Sequence, residues 1–233
     1  MERERMSPDD FIQQITSEVD RHFDQFNYER FWIPGNLDDE EAVKQTVLNR
    51  LRIGYRNEIF VRNAAWYALQ AAPSLKSQQA LLKQVEDEHK HAIWLADVLQ
   101  KRGYDPEEAG TTMTWSIFWN YIFARGRDFN NFLSIVATTQ LVLERLTGLR
   151  ATETLAKAIA DHDPEVSSLY GDKIRRDEIF HVIQLPEALL REHATTLEAQ
   201  EVVRDGVERG KLFLKWIGDE LQHGATFVKP ELI

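Results

Sequence analysis

Glu58, Glu88, Glu144 and Glu178 each stand in the middle of an apolar helical stripe, at a position where packing favours a hydrophobe. Around Glu58 the stripe is Leu51, Tyr55, Glu58, Val61, Ala65 and Leu69; around Glu88 it is Leu81, Val85, Glu88, Ala92, Leu95 and Leu99, with His91 on the same side. Leu133, Ala137, Gln140, Glu144, Thr147 and Ala151 form the third stripe, and Gly171, Ile174, Glu178, His181 and Leu185 the fourth. Residues three and four apart share a helix face, so all four acids are expected to point inward. An ionised carboxylate is almost never buried alone, because it gives up water and gains nothing in return. Four inward acids with two Glu-x-x-His pairs, Glu88/His91 and Glu178/His181, therefore predict that cations meet them in the core.

The period along the chain is helical, with little strand-like alternation. Ser7-Pro8-Asp9-Asp10 predicts an N-cap, a proline at the first helical position and an acidic first turn, opening a helix to about Phe26. Residues 27–36 read as a connector. Asp38-Asp39-Glu40-Glu41 begins a long helix to about Ala72, which Pro73 stops, and Ser74 caps the next, to Gly103. After a loop over residues 104–110, a helical region is expected from Thr112 to Ala160 with a break near Gly126. Asp163-Pro164-Glu165 opens a helix to about His193, and Thr195 or Thr196 the last, to about His223. The expectation is all-α: one helical domain over residues 1–233, with a metal-binding bundle at about 38–193 and flanking helices at about 8–26 and 196–223.

Levels along the helices give a second, independent check. Glu58 lies fourteen residues before Ala72 and Glu88 fourteen after Ser74, so in an antiparallel pair both sit about 21 Å from the turn. Glu144 is sixteen residues before Ala160 and Glu178 fourteen after Pro164, an axial offset of only about 3 Å. Each hairpin thus carries Glu on one arm and Glu-x-x-His on the other, an approximate internal duplication offset by 86 residues at the first Glu and 90 at the second.

Composition narrows the function classes. With 43% hydrophobic residues the 233-residue chain can bury a substantial core. It has no Cys, hence no disulfide and no thiolate metal site. The charged start, M-E-R-E-R-M, is unlike a signal peptide, and no stretch reads as a membrane span, so a cytoplasmic location is expected. A net charge of −10 with a pI near 5.2 argues against nucleic-acid binding.

The order and levels of these six residues resemble the ferritin-like di-metal carboxylate proteins, in which two helices each supply a Glu and two others each supply Glu-x-x-His. The resemblance covers about residues 38–193 and implies a ferritin-like four-helix bundle with additional N- and C-terminal helices. It implies Glu58, Glu88, His91, Glu144, Glu178 and His181 as ligands of two ions. It also implies Asp87 and Asp177 as acceptors orienting the opposite histidines, Asp87 for His181 and Asp177 for His91.

Simpler readings compete. Any single mid-helix Glu is usually solvated, and Arg145, Arg175 or Arg176 would neutralise some of the charge without metal, although they mostly face elsewhere. Arg62, four residues after Glu58, is the closer rival as a helical ion-pair partner. Two further matches, Glu86-x-x-His89 and Glu220-x-x-His223, are expected at the surface. They show that the stripes, rather than the motif, carry the argument.

Four carboxylates and two imidazoles are a hard oxygen and nitrogen set suited to two iron ions, with manganese or a mixed pair as variants, and zinc stays open. The resemblance implies O₂ activation. Lack of Cys excludes a rubredoxin-type domain as in rubrerythrins, and Leu95 and Leu185 stand where ribonucleotide reductase small subunits would carry their radical tyrosine. What remains is similar in size and plan to aldehyde-deformylating oxygenases and stand-alone di-iron hydroxylases. That implies an oxygenase acting on a small or fatty organic substrate, fed by an external ferredoxin or reductase, with a homodimer as a compatible assembly. A ferroxidase and a non-enzymatic partner-binding bundle are the alternatives. Thr147 is the expected catalytic hydroxyl beside the metals, with a gap left by Gly148. Tyr55, Phe60, Phe118, Trp119, Tyr121 and Phe180 are the expected cavity lining, and Pro186 is expected to kink or end its helix.

Overall fold

The computed structural model describes residues 4–26, 28, 32–117, 120, 132–223 and 227–228. The architecture is all-α, and local chemistry sets the boundaries of its long helices. α1 (Pro8–Phe26) starts where Ser7 Oγ accepts the Asp10 amide at 3.2 Å. α2 (Glu40–Ala71) is capped by Asp39, whose Oδ1 accepts from Ala42 N at 3.0 Å. α3 (Leu75–Lys101) is capped by Ser74, which accepts from Ser77 N at 3.1 Å, and it ends before Gly103, whose φ of 81° suits glycine. α4 is Phe132–Ala158. α5, residues 164–193, opens at Asp163, which accepts from Val166 N at 3.2 Å and also holds Arg102 from the end of α3 at 2.7 and 2.9 Å. α6 (Leu197–His223) opens at Thr196, which accepts from Ala199 N at 3.1 Å.

Two hydrophobic clusters fix the directions of α2 to α5. At one end Ala68 and Ala72 of α2 meet Leu81 of α3, Phe132 and Ile135 of α4, and Leu185 and Leu189 of α5. At the other end Val43 and Val47 of α2 meet Val98 and Leu99 of α3, Leu155 of α4, and Val166 and Leu169 of α5. Hence α2 and α5 run one way and α3 and α4 the other. Because α3 ends and α4 begins at opposite ends, the intervening residues 102–131 make one long return connection.

α1 and α6 run parallel to α4 and cover its outer side. Arg145 of α4 forms a forked pair with Asp20 of α1 at 2.6 and 2.7 Å, and Thr138 donates to the Gly206 carbonyl of α6 at 3.0 Å. The approach is close: a Cβ on Gly206 would stand 2.8 Å from Ala137 Cβ and 2.9 Å from Ser134 O, and one on Gly210 would stand 2.8 Å from Val142 Cβ.

The structure departs from the sequence reading in four places. Thr111–Thr112 does not open a helix but pairs antiparallel with Phe227–Val228, which suits β-branched and aromatic side chains. A separate helical segment at 113–117 follows, with the Met113 and Thr114 amides donating to Glu220 at 3.0 and 2.9 Å; the expected break near Gly126 lies outside the described residues. Pro186 does not end its helix, which continues to His193, because the turn before it, Phe180–Gln184, is π-helical and wide enough to receive the ring. Finally, α4 does reach the length and apolarity of a membrane-crossing helix, but 83% of that stretch is buried among the other helices.

Gly206→Ala should destabilise the fold by about 1–3 kcal/mol through forced separation of α4 and α6. Urea unfolding followed by circular dichroism checks this, and an unchanged midpoint would mean the two helices yield freely.

Candidate metal centre

Halfway along α2 to α5 the hydrophobic clusters give way to charge. Glu58, Glu88, His91, Glu144, Glu178 and His181 are all buried there, with Glu88, His91 and His181 wholly inaccessible. They fall into two overlapping groups. In one, Glu58, Glu88, His91 and Glu178 each offer a ligand atom, all within 4.8 Å of one another; in the other, Glu88, Glu144, Glu178 and His181 do the same. Glu88 and Glu178 belong to both, so they lie between the two positions, with Glu58 and His91 on one side and Glu144 and His181 on the other.

The imidazoles face inward through Nδ1. His91 Nδ1 is 3.1 Å from Glu88, 3.4 Å from Glu178 and 3.5 Å from Glu58. His181 Nδ1 is 2.9 Å from Glu88 Oε1, yet it makes no aligned hydrogen bond. Glu144 Oε1 and Glu178 Oε2 are likewise buried without a hydrogen-bond partner. Such orphaned polar atoms are costly, and here they belong to three residues, Glu144, Glu178 and His181, that share one candidate cation position. The outer nitrogens are held crosswise: His91 Nε2 lies 3.3 Å from Asp177 and His181 Nε2 3.2 Å from Asp87. Each Asp precedes a Glu on one helix and reaches the histidine of the other. Lys90 joins both, at 2.9 Å to Asp87 and 2.6 Å to Asp177, and Lys83 pairs with Asp87 as well.

A buried amide chain ends on Glu88. Gln140 Nε2 donates to Gln84 Oε1 at 3.0 Å, and Gln84 Nε2 donates to Glu88 Oε1 at 3.2 Å. The α4 backbone around Glu144 is π-wound over Ala137–Ala151, a form common at functional sites, and Thr139 and Thr147 hydroxyls donate to carbonyls four residues back at 2.7 and 2.9 Å. Gly148 lies against the acids: a Cβ there would collide with Glu178 Oε2 and stand 3.4 Å from Glu144 Oε2.

The arginines answer other charges. Arg62 reaches His89 Nδ1 at 3.2 Å and Asn63, Arg145 pairs with Asp20, and Arg175 with Glu153 at 3.4 Å. Arg176 lies 3.9 Å from Asp177, outside the cluster. Glu86 and His89 are exposed, and Glu220 caps the backbone at 113–114.

A cavity of about 40 Å³ adjoins the acids. Thr147 lines it, but Tyr55, Phe60 and Phe180 do not. Tyr55 donates to Glu107 at 2.8 Å, Phe60 packs into the cluster beneath α1 and α6, and Phe180 lies under Lys83. Phe118, Trp119 and Tyr121 lie outside the described residues. Trp32, Trp115 and Tyr170 form the aromatic wall instead, with Arg50, Gly54 and Asn57 of α2 beside Glu58. The sequence held one signal for this set: Gly54 falls on the face of Glu58, one turn before it.

Burial raises the pKa of Glu58 and Glu144 well above the usual 4.5, and their carboxylate neighbours add to the rise. For Glu88 burial acts in the same direction, but His181 and His91 outweigh it and hold the group well below its usual value. Burial favours neutral His91 and His181, yet the surrounding carboxylates win and push both well above the usual 6.5. No protein-family model matches the chain, and no curated protein or solved structure matches it either.

The donor chemistry fits divalent cations, which would take the place of the protons these groups attract. Raised pKa values on Glu58, Glu144, His91 and His181 stabilise the chelator-treated fold most at low pH. That contribution declines above pH 4.5 for the acids and above 6.5 for the imidazoles, while Glu88 works in the opposite sense. Metal binding must displace the same protons, so the gap in melting temperature between metal-loaded and chelated protein should widen from pH 6 to pH 8. A gap that narrows would contradict this. Gly148→Ala should lower metal affinity by about 10–100-fold, the range seen when ligand-orienting surroundings are disturbed, with helical content retained. Equilibrium dialysis with Mn(II) reads it.

Proposed function

We propose that this protein is a ferritin-like di-iron oxidoreductase that uses O₂ to oxidise a small organic substrate. The observation that carries this reading is the pair of overlapping buried donor groups sharing Glu88 and Glu178. The opposed helix directions and the single long return connection suit a ferritin-like bundle over residues 38–193, with α1 and α6 as additional helices. Glu58 and His91 would hold one ion and Glu144 and His181 the other, with Glu88 and Glu178 shared. Four carboxylates balance two divalent charges, and the hard donor set favours iron or manganese. When bound, such a redox-active pair supplies the electrons for O₂ activation that no side chain here provides.

The protein's own part is to bind, orient and exclude water. Asp87 and Asp177 accept the Nε2 protons, which leaves the Nδ1 lone pairs facing the acids. Positive neighbours fix this choice: burial pushes the Asp87 carboxyl up, but His181, Lys83 and Lys90 outweigh it and hold the group far below its usual range. Gln84 donates to Glu88 and so keeps one oxygen of the shared carboxylate in place. Thr147 commits its hydroxyl proton to the Leu143 carbonyl at 2.9 Å, so it meets the cavity as an acceptor. Trp32, Trp115 and Tyr170 restrict the entry of bulk water. With no Cys in the chain, electrons come from an external ferredoxin or reductase.

The small cavity favours a compact substrate over a fatty chain, since about 40 Å³ admits roughly three waters. The same confinement suits the second reading, a ferroxidase whose substrate is iron itself. Anaerobic loading with Fe(II) should give two ions per chain by elemental analysis and O₂ consumption on aeration. Glu144→Ala should lower the count to one or fewer. Absence of bound metal, or two ions retained in Glu144→Ala, would defeat the proposal; growth of an iron mineral would select the ferroxidase.

A further inference from the structure

The two aspartates behind the histidines meet at a single ammonium group. Lys90 Nζ donates to Asp87 Oδ1 at 2.9 Å, three residues back on α3, and to Asp177 Oδ2 at 2.6 Å, across on α5. Both aspartates hold an imidazole at the same time: Asp177 Oδ2 also accepts from His91 Nε2 at 3.3 Å, and Asp87 Oδ2 from His181 Nε2 at 3.2 Å. A path of side chains therefore runs from His91 through Asp177, Lys90 and Asp87 to His181, behind the ring nitrogens that face the acids. The Lys90 ammonium also stands 5.2 Å from the Trp94 ring centre, and Trp94 in turn lies 5.6 Å from the His91 ring. Lys83 is placed differently. It pairs with Asp87 Oδ2, one turn on along α3, and rests over the Phe180 ring, without an ion pair to Asp177. Apart from Lys90 and His91, the cation nearest Asp177 among the described residues is the exposed Arg176, at 3.9 Å.

We infer that Lys90 is a positioning residue shared by both metal sites, holding Asp87 and Asp177 where each accepts the outer proton of a ligand histidine. The inference rests on the di-metal reading and adds to it a residue that touches neither ion. Two carboxylates on one nitrogen repel each other once the cation between them is lost. An ammonium is a compact charge with three rotatable donors, so it can serve acceptors on two helices at once. Without Lys90, Asp177 keeps no close ammonium or guanidinium and is free to turn away from His91, whereas Asp87 retains Lys83. Both rings should loosen, His91 the more; loss of Lys83 should loosen His181 alone. An imidazole released from its acceptor no longer holds Nδ1 toward the acids, and disturbing such acceptors lowers metal affinity by about 10–100-fold. The fold itself should depend little on Lys90, since partly exposed ion pairs add little to stability.

The test compares the full chain loaded with redox-inert Zn(II) in wild type, Lys90→Met, Lys90→Arg and Lys83→Met. Methionine keeps most of the stem that covers Trp94 and removes the charge. In protein carrying nitrogen-15 histidine, the ring N–H signals are assigned by proximity to Trp94 for His91 and to Phe180 for His181. Both ring protons should exchange slowly with water in wild type. Lys90→Met should speed both by about tenfold or more, the cost of weakening a hydrogen bond to a charged group. Zinc affinity, read by competition with a chromophoric chelator, should fall by about 10–100-fold in the same variant. Lys83→Met should speed the His181 proton alone, and Lys90→Arg should recover part of both effects. If Lys90→Met binds two zinc ions at wild-type affinity with both ring protons still slow, or if one histidine alone responds, the shared role is overturned and the metal centre stands. A wild type that binds no zinc would instead defeat the reading on which the inference rests. Should Lys90→Met lose its helical spectrum, Lys90→Gln gives the same comparison with a polar, uncharged end.

Discussion

Burying four carboxylates at one level of a helical core is the constraint around which the rest of this structure is arranged. Water is excluded from Glu88, His91 and His181, and hydrophobic clusters seal the level above and below. An isolated charge in such a place costs several kcal/mol or neutralises itself by shifting its pKa. Both responses are visible: Glu58 and Glu144 are driven toward the neutral form, and the imidazoles toward the charged one. Apolar residues at the same six positions would cost less, so the sequence maintains this arrangement against its own stability. Sites of that kind are where function is usually found.

The fold serves the cluster by supplying it from four directions with little freedom. Each hairpin places one Glu arm against one Glu-x-x-His arm, and the crosswise Asp contacts tie α3 to α5 through the histidines themselves. α4 is the least accessible of the four, enclosed by α1 and α6 on its outer side. Its π-wound turns and the bare Cα of Gly148 allow Glu144 and Glu178 to lie side by side, an approach that a standard turn bearing a Cβ would obstruct. The extra helices therefore act on the site indirectly, by fixing the helix that carries Glu144.

Much of this was legible in the sequence, for a definite reason. Helical period and capping are local, so Asp39, Ser74, Asp163 and the acids on their stripes could be placed from spacing alone. Equal distance from a turn then put Glu58 level with Glu88, and Glu144 level with Glu178. The cavity was not legible, because its walls come from a connector residue (Trp32), a segment after α3 (Trp115) and the far hairpin (Tyr170). Aromatics near the ligands in sequence, such as Tyr55 and Phe180, rotate away to Glu107 and Lys83. The π turns and the pairing of Thr111–Thr112 with Phe227–Val228 depend on tertiary partners and leave no periodic trace. That the helix continues past Pro186 was not legible for the same reason, since the winding of the preceding turn decides whether its ring fits.

The internal duplication is geometric and stops short of electrostatic symmetry. Asp87, behind His181, is held by two ammonium groups, Lys83 and Lys90; Asp177, behind His91, has Lys90 as its close cation and the Arg176 guanidinium only at 3.9 Å. A carboxylate shared between more cations gives less negative charge to the imidazole it orients, so His181 is the less basic ligand of the two on this account. Burial adds to the difference, since Glu144 is more deeply enclosed than Glu58. The cavity beside the cluster is lined by Arg50 and Asn57 of α2 next to Glu58, and by Thr147 and Gly148 of α4 next to Glu144. The two similar hairpins thus hold their imidazoles unequally, although both contribute acids to the wall of the one cavity, Glu58 from the first and Glu144 and Glu178 from the second.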